Sequence, residues 1–152
     1  MSTVLYWLEC LTVISTGLLA GALVTEARVL VPYWQKMPIA EFLALHHTMA
    51  SSLYRFFAPL TVAGTMLPII TVCVAIMQHN VALPWLISGV CAVALLLFYF
   101  LFFKGANHSF TVETDLDRSR ATLTKWGTLH AKRTVIALVA FVAAMFGLLV
   151  ER

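Results

Sequence analysis

The chain has 152 residues, of which 61% are apolar and only 11% charged, and its mean hydropathy is +0.91. Soluble domains average about 45–50% apolar and about 25% charged, so the polar surface that keeps a globule in water is missing. The composition indicates an integral membrane protein and excludes a Rossmann fold, a barrel enzyme, a disulfide scaffold or a separate soluble domain in the length left over by the bilayer spans.

In chain order, the first apolar stretch ends at Thr25-Glu26-Ala27-Arg28, resumes with Val29-Leu30-Val31 and stops at Pro32. Tyr6-Trp7 and Tyr33-Trp34 read as interfacial aromatic belts, which predicts a span over 8–32, about 37 Å long. No basic leader and no clear small-residue cleavage site accompany it, so it is read as a retained helix and not a signal peptide. Within it, Gly17 and Gly21 form a GxxxG motif that lets helices approach closely, either inside the bundle or between copies in a homo-oligomer.

A connection over 33–52 follows, with a short amphipathic helix that starts after Pro38 and leads into the second span. The stripe Ile39, Phe42, His46, Met49, Leu53, Phe56 recurs at three and four and puts His46 on a candidate buried face. The neighbouring stripe Leu43, His47, Ala50, Tyr54, Phe57 is nearly as apolar, so both histidines stay candidates.

From Phe56 to Phe103 the 48 residues contain no Asp, Glu, Lys or Arg, more than twice the roughly 20 that one membrane helix needs. The run must turn once, at Gln78-His79-Asn80 ahead of Pro84-Trp85, which predicts spans over 53–77 and 84–106, with His79 in a solvated turn. Lys104-Gly105-Ala106-Asn107-His108 closes the third span with a helix-ending glycine. A connection over 107–125 then carries Asp115, Asp117, Arg118 and Arg120, read as a solvated loop, and the last span covers 126–150. Cys10, Cys73 and Cys91 sit singly in three apolar runs, where cysteine behaves as a small hydrophobe. The expected fold is a single all-α domain, a bundle of four transmembrane helices.

Four spans place both termini and the 78–83 turn on one side, and the other two connections on the opposite side. Nine of the ten basic residues, all but Arg152, fall on the second side. The positive-inside rule makes that side cytoplasmic, which predicts an integral protein of the bacterial inner (plasma) membrane with its termini outside the cytoplasm. The basic residues carry topology, and no nucleic-acid patch is expected.

Four of the five histidines fall on this cytoplasmic half. Each helix contributes a polar group at the same end: Glu26 from the first, His46 and His47 from the approach to the second, His108 from the third, His130 from the fourth. Inward-facing carboxylates and imidazoles from facing helices are how bundles build metal sites, so Glu26, one of His46 or His47, His108 and His130 are the expected ligands of one transition-metal ion. Glu26 is the sharpest signal, because an ionisable group below the headgroups is costly and functional by default; a structural pair with Arg133 or Arg28 is the alternative. Trp126, His130 and Arg133 recur at i, i+4 and i+7 and share one helix face, with Arg133 about 10 Å deeper than Trp126. Asn107 is placed to cap the third helix or to hydrogen-bond a ligand.

Gly17 to Pro32, the Pro38-initiated helix, Asn107 just after the third span, and Trp126-x3-His130-x2-Arg133-Thr134 together resemble the small four-helix membrane proteins of a domain-of-unknown-function family that includes the fungal anthrone oxygenases. The resemblance covers most of the chain and implies oxidation of a hydrophobic, aromatic or phenolic small molecule by dioxygen. Imidazoles with one carboxylate suit copper or iron as the agent, with Arg133, Trp126 and Asn107 positioning substrate beside His130. Metal-free oxygenation, with a histidine as base, is the variant of this reading. Two other classes compete: a b-type cytochrome using histidines such as His108 and His130 as heme ligands, and a small transporter using Glu26.

Overall fold

The computed structural model describes residues 2–79 and 82–150. Asn80 of the expected turn and Arg152, the one basic residue expected on the far side, lie outside the described residues. Four helices make up the fold: α1 (Thr3–Lys36), α2 (Ile39–Met77), α3 (Leu83–Val112) and α4 (Leu116–Val150), each long and apolar enough to cross a membrane. Each helix packs on its neighbours in the chain, and α4 closes the ring on α1. The result is an all-α antiparallel four-helix bundle. The end with the 37–38 and 113–115 connections is called the basic end here, the other the terminal end.

The helices run well beyond the charge-free stretches. At 1.5 Å per residue the 39 residues of α2 measure about 58 Å, roughly twice the hydrocarbon thickness of a bilayer. The connections expected over 33–52 and 107–125 therefore shrink to residues 37–38 and 113–115. The lead-in helix after Pro38 is the first part of α2, joined to the span without a break, and Gly105 lies inside α3 instead of ending it. The reason is a second core. Val31, Trp34, Phe42, Phe103, Ala106, Phe110, Leu123 and Trp126 bury one another at the basic end, so amphipathic segments that hydropathy reads as connections stay helical because their apolar faces meet. Asp115 caps α4, its Oδ1 accepting from the Asp117 and Arg118 amides at 3.0 and 3.1 Å. Arg120 is not loop surface either: it donates to the carbonyls of Gln35 and Met37 at 3.1 and 2.7 Å and ties the end of α1 to α4.

The two halves of the bundle pack differently. In the terminal half the contacts are made by small residues. A Cβ built on Gly64 of α2 would lie 2.9 Å from Leu19 Cβ and 3.2 Å from the Ser15 carbonyl of α1, and one on Gly147 of α4 would lie 2.6 Å from the Trp85 ring of α3. Such close approach is how helices associate where no water drives them together. A Cβ built on Gly17 of the GxxxG motif would also meet a partner, the Phe141 ring of α4 at 2.9 Å, but one built on the exposed Gly21 would meet nothing within 4 Å, so the two-glycine contact is not formed within the chain. Thr12 and Thr71 join α1 to α2 through a buried hydroxyl–hydroxyl bond of 2.8 Å. In the basic half bulky aromatics hold the same helices apart.

Two wide turns interrupt the helices near this boundary. Residues Glu26–Leu30 of α1 and Tyr99–Phe103 of α3 are π-helical, with Val31 N–H bonded to Glu26 O and Lys104 N–H to Tyr99 O. The first directly precedes Pro32, which lacks an N–H and whose ring crowds the preceding turn. Such single turns recur at functional sites, and here both carry side chains into the same space.

Candidate functional site

Between the helices at the basic end lies a cavity of about 770 Å³, within the range of small-molecule sites. Its walls are mostly aromatic and aliphatic, including Trp34, Phe42, Phe57, Tyr99 and Trp126, and its polar side chains include Glu26, Arg133, Thr61, Thr65 and Tyr99, with His46, Tyr54, Lys104, Asn107 and His108 besides.

The helix α4 presents Trp126, His130 and Arg133 on one buried face, as their spacing predicts. Trp126 stacks flat on His130, with centroids 4.8 Å apart and an interplanar angle of 5°, and Phe103 meets both rings edge-on. The Trp126 indole N–H donates to Asn107 Oδ1 at 2.9 Å, so Asn107 fixes the orientation of Trp126 across the α3–α4 contact. His130 has no exposed surface and does not line the cavity. Its Nε2 lies 3.2 Å from the Leu23 carbonyl and 3.5 Å from Glu26 Oε2. A carbonyl only accepts, so the bond to Leu23 places the hydrogen on Nε2, and Glu26 Oε2 sits beside that same N–H. His130 thus stands behind Glu26 and orients it.

Arg133 is 7% exposed and lines the cavity. One of its terminal nitrogens donates to Thr61 Oγ1 at a long 3.5 Å, its guanidinium carbon lies 5.0 Å over the Phe103 ring, and its Nε is buried without a hydrogen-bond partner. Glu26, 6% exposed, lines the cavity as well and interacts electrostatically with Arg133. A carboxylate and a guanidinium with spare hydrogen-bonding capacity therefore face one apolar space, which suits proton removal from a bound molecule and stabilisation of the oxyanion left behind.

The structure separates the two adjacent histidines. His46 lines the cavity with its ring against Phe42 and Phe110, at 5.8 and 5.3 Å, and its Nδ1 has no hydrogen-bond partner. His47 is exposed and is not part of the lining. His108 is at the exposed edge of the cavity, and His79 is exposed in the turn after α2. Among the described residues, no three His, Cys, Asp or Glu side chains are grouped so that they could hold a metal ion. The expected convergence of Glu26, His46 or His47, His108 and His130 on one copper or iron ion is therefore not formed. The nitrogen of His130 nearest Glu26 is engaged with a carbonyl, and Arg133 shares the cavity wall with Glu26. The His108–His130 pair is split likewise: His130 is enclosed between Trp126, Phe103 and Leu23, whereas His108 lies at the cavity edge. Cys10, Cys73 and Cys91 are free thiols.

Two cavity-lining residues, and one buried carboxylate elsewhere in the bundle, were not singled out from the sequence. Tyr99 lines the cavity; its signal was a lone hydroxyl in the run Phe98-Tyr99-Phe100. Thr61 supplies the acceptor for Arg133. Glu9, fully buried in the terminal half, was visible as a carboxylate inside the first apolar stretch. Comparison of the chain with family models, curated proteins and solved structures finds no match.

Proposed function

We propose that the protein is a membrane-embedded oxygenase that removes a proton from a hydrophobic carbon acid or phenol at Glu26 and lets the resulting anion react with dioxygen. The observation that carries this reading is that Glu26 and the incompletely bonded Arg133 stand on the wall of one apolar cavity. For a substrate with a CH₂ between aryl rings that conjugate it to a carbonyl, as in anthrone, Glu26 takes one proton, and Arg133 holds the carbonyl oxygen as it becomes negative. The carbanion forms a C–O bond to dioxygen, which is reduced. Glu26 returns its proton to the terminal oxygen as the O–O bond breaks, and water leaves with the second hydrogen of the CH₂. One oxygen atom ends in the new C=O and the other in water, so dioxygen is the only oxidant. His130 is a positioning residue that holds Glu26, and Trp126, fixed by Asn107, holds His130. In this reading the basic end faces the cytoplasm, as the distribution of Lys and Arg predicts.

Anthrone is the probe that tests this. Purified protein in vesicles should accelerate its conversion to anthraquinone with matching oxygen uptake. Glu26→Gln should lower the rate by about a hundredfold or more, the range for loss of a general base, and Arg133→Gln should lower it as well. A rate in Glu26→Gln equal to that of the native protein would overturn the assignment.

A further inference from the structure

The cavity has a side that is not closed by protein. Tyr54 and Val62 of α2 and Phe100 of α3 line it and yet are 67%, 59% and 63% exposed on the bundle's outer surface. The lining is therefore continuous with the outside along the seam between α2 and α3. Toward the basic end, residues from all four helices pack into the aromatic cluster around Trp34, Phe42, Phe110 and Trp126 and narrow the axial path, and the wall there carries the exposed polar residues Lys104, Asn107 and His108, an edge that suits water and not a lipophile. Depth decides what lies outside the opening. Val62 and Phe100 belong to the 48-residue run from Phe56 to Phe103 that contains no charged side chain, and such a run faces hydrocarbon, not water. Both walls of the seam are also irregular at this level: α2 carries Pro59, whose ring leaves the Arg55 carbonyl without its helical donor, and α3 carries the π-helical turn Tyr99–Phe103.

We infer that the ligand of the Glu26–Arg133 cavity enters sideways from the bilayer through the α2–α3 seam, and that the substrate class is a lipophile dissolved in the membrane, with one polar oxygen function that ends at Arg133. The inference rests on the reading of this cavity as the active site. Ala58 and Val62 of α2 and Phe100 of α3 all line the cavity at this seam, so a larger side chain at 58 or 62 should narrow the route. A bulky phospholipid headgroup cannot follow its tail into the hydrocarbon level without losing its hydration, whereas a single-chain lipophile whose one oxygen function reaches Arg133 can.

Trp34 and Trp126 report on the cavity because both line it. In a Trp7→Phe/Trp85→Phe background they are the remaining fluorophores, since the chain has four tryptophans. The experiment reconstitutes this protein in phosphatidylcholine vesicles doped with dibromostearate, a single-chain lipophile whose bromines quench on contact. The emission should be at least halved in a saturable way, aqueous acrylamide should change it little, and Ala58→Phe or the surface substitution Val62→Phe should each restore most of it. Strong quenching by acrylamide with none by dibromostearate would overturn the lateral route, as would undiminished dibromostearate quenching in both narrowed variants. Because no turnover is read, inactivity toward anthrone with the quenching intact would count against the chemistry alone.

Discussion

Replacing Gly64 by alanine adds one methyl group at the tightest contact between α1 and α2. That methyl would lie 2.7 Å from Leu19 Cδ2, 2.9 Å from Leu19 Cβ and 3.2 Å from the Ser15 carbonyl oxygen. The terminal methyl of Leu19 can swing away, but its Cβ and the Ser15 backbone move only if α1 moves. Carbon atoms rest at about 3.5–4.0 Å, so α1 must retreat by roughly 0.6 Å or more. Overpacking of this kind costs about 1–3 kcal/mol. Gly21→Ala is the matched control. A methyl there meets nothing within 4 Å, and a helix interior gains up to about 1 kcal/mol when glycine becomes alanine. Unfolding in mixed micelles of rising dodecyl sulfate fraction, followed by circular dichroism, should therefore show an earlier midpoint for Gly64→Ala and an unchanged or later one for Gly21→Ala. Equal midpoints, or a larger loss at Gly21, would refute the packing argument and point to a contact of Gly21 outside the chain.

The buried Thr12–Thr71 bond of 2.8 Å should give a coupling of about 0.6 kcal/mol in a Thr12→Val/Thr71→Val double-mutant cycle, the average for hydrogen bonds between helices in a membrane; strict additivity would show that the bond contributes nothing. Reporter fusions after Val150 and between Glu113 and Asp115 should report opposite compartments, with the second in the cytoplasm, and a cytoplasmic C-terminal reporter would reverse the assigned orientation.

The four spans were legible because charge-free runs of the right length have no other use in so apolar a chain. Their extensions were not, since Phe42, Phe110 and Leu123 lie in segments polar enough on average to read as connections, and only the facing partners in the second core show why they stay helical. Glu26, Trp126, His130 and Arg133 stood out through their unusual place in apolar sequence and their shared spacing, and they do meet at one end of the bundle. What they form there was beyond the sequence. Spacing on α4 puts His130 and Arg133 on one face, but whether each reaches the cavity depends on the exact rotation of α4 against α1, which leaves His130 behind Glu26 and Arg133 in the lining. His46 and His47 could not be separated because their stripes are almost equally apolar; tertiary packing against Phe110 selects His46. Of the GxxxG motif only Gly17 sits at a contact within the chain, for a related reason. Close approach at Gly64 and Gly147 depends on what lies opposite, Leu19 and Trp85, and a single glycine facing a large side chain carries no motif of its own.

The central claim is that Glu26 takes a proton from carbon inside the cavity, and hydrogen exchange without oxygen tests it most directly. Anthrone deuterated at its CH₂ would be incubated anaerobically with vesicles containing the protein, and the loss of deuterium to water followed by mass spectrometry. The account predicts wash-out well above the rate in empty vesicles for the native protein, a rate close to that background for Glu26→Gln, and saturable dibromostearate quenching of Trp34 and Trp126 retained in the same variant. Wash-out by Glu26→Gln as fast as by the native protein, or none by the native protein, would contradict it.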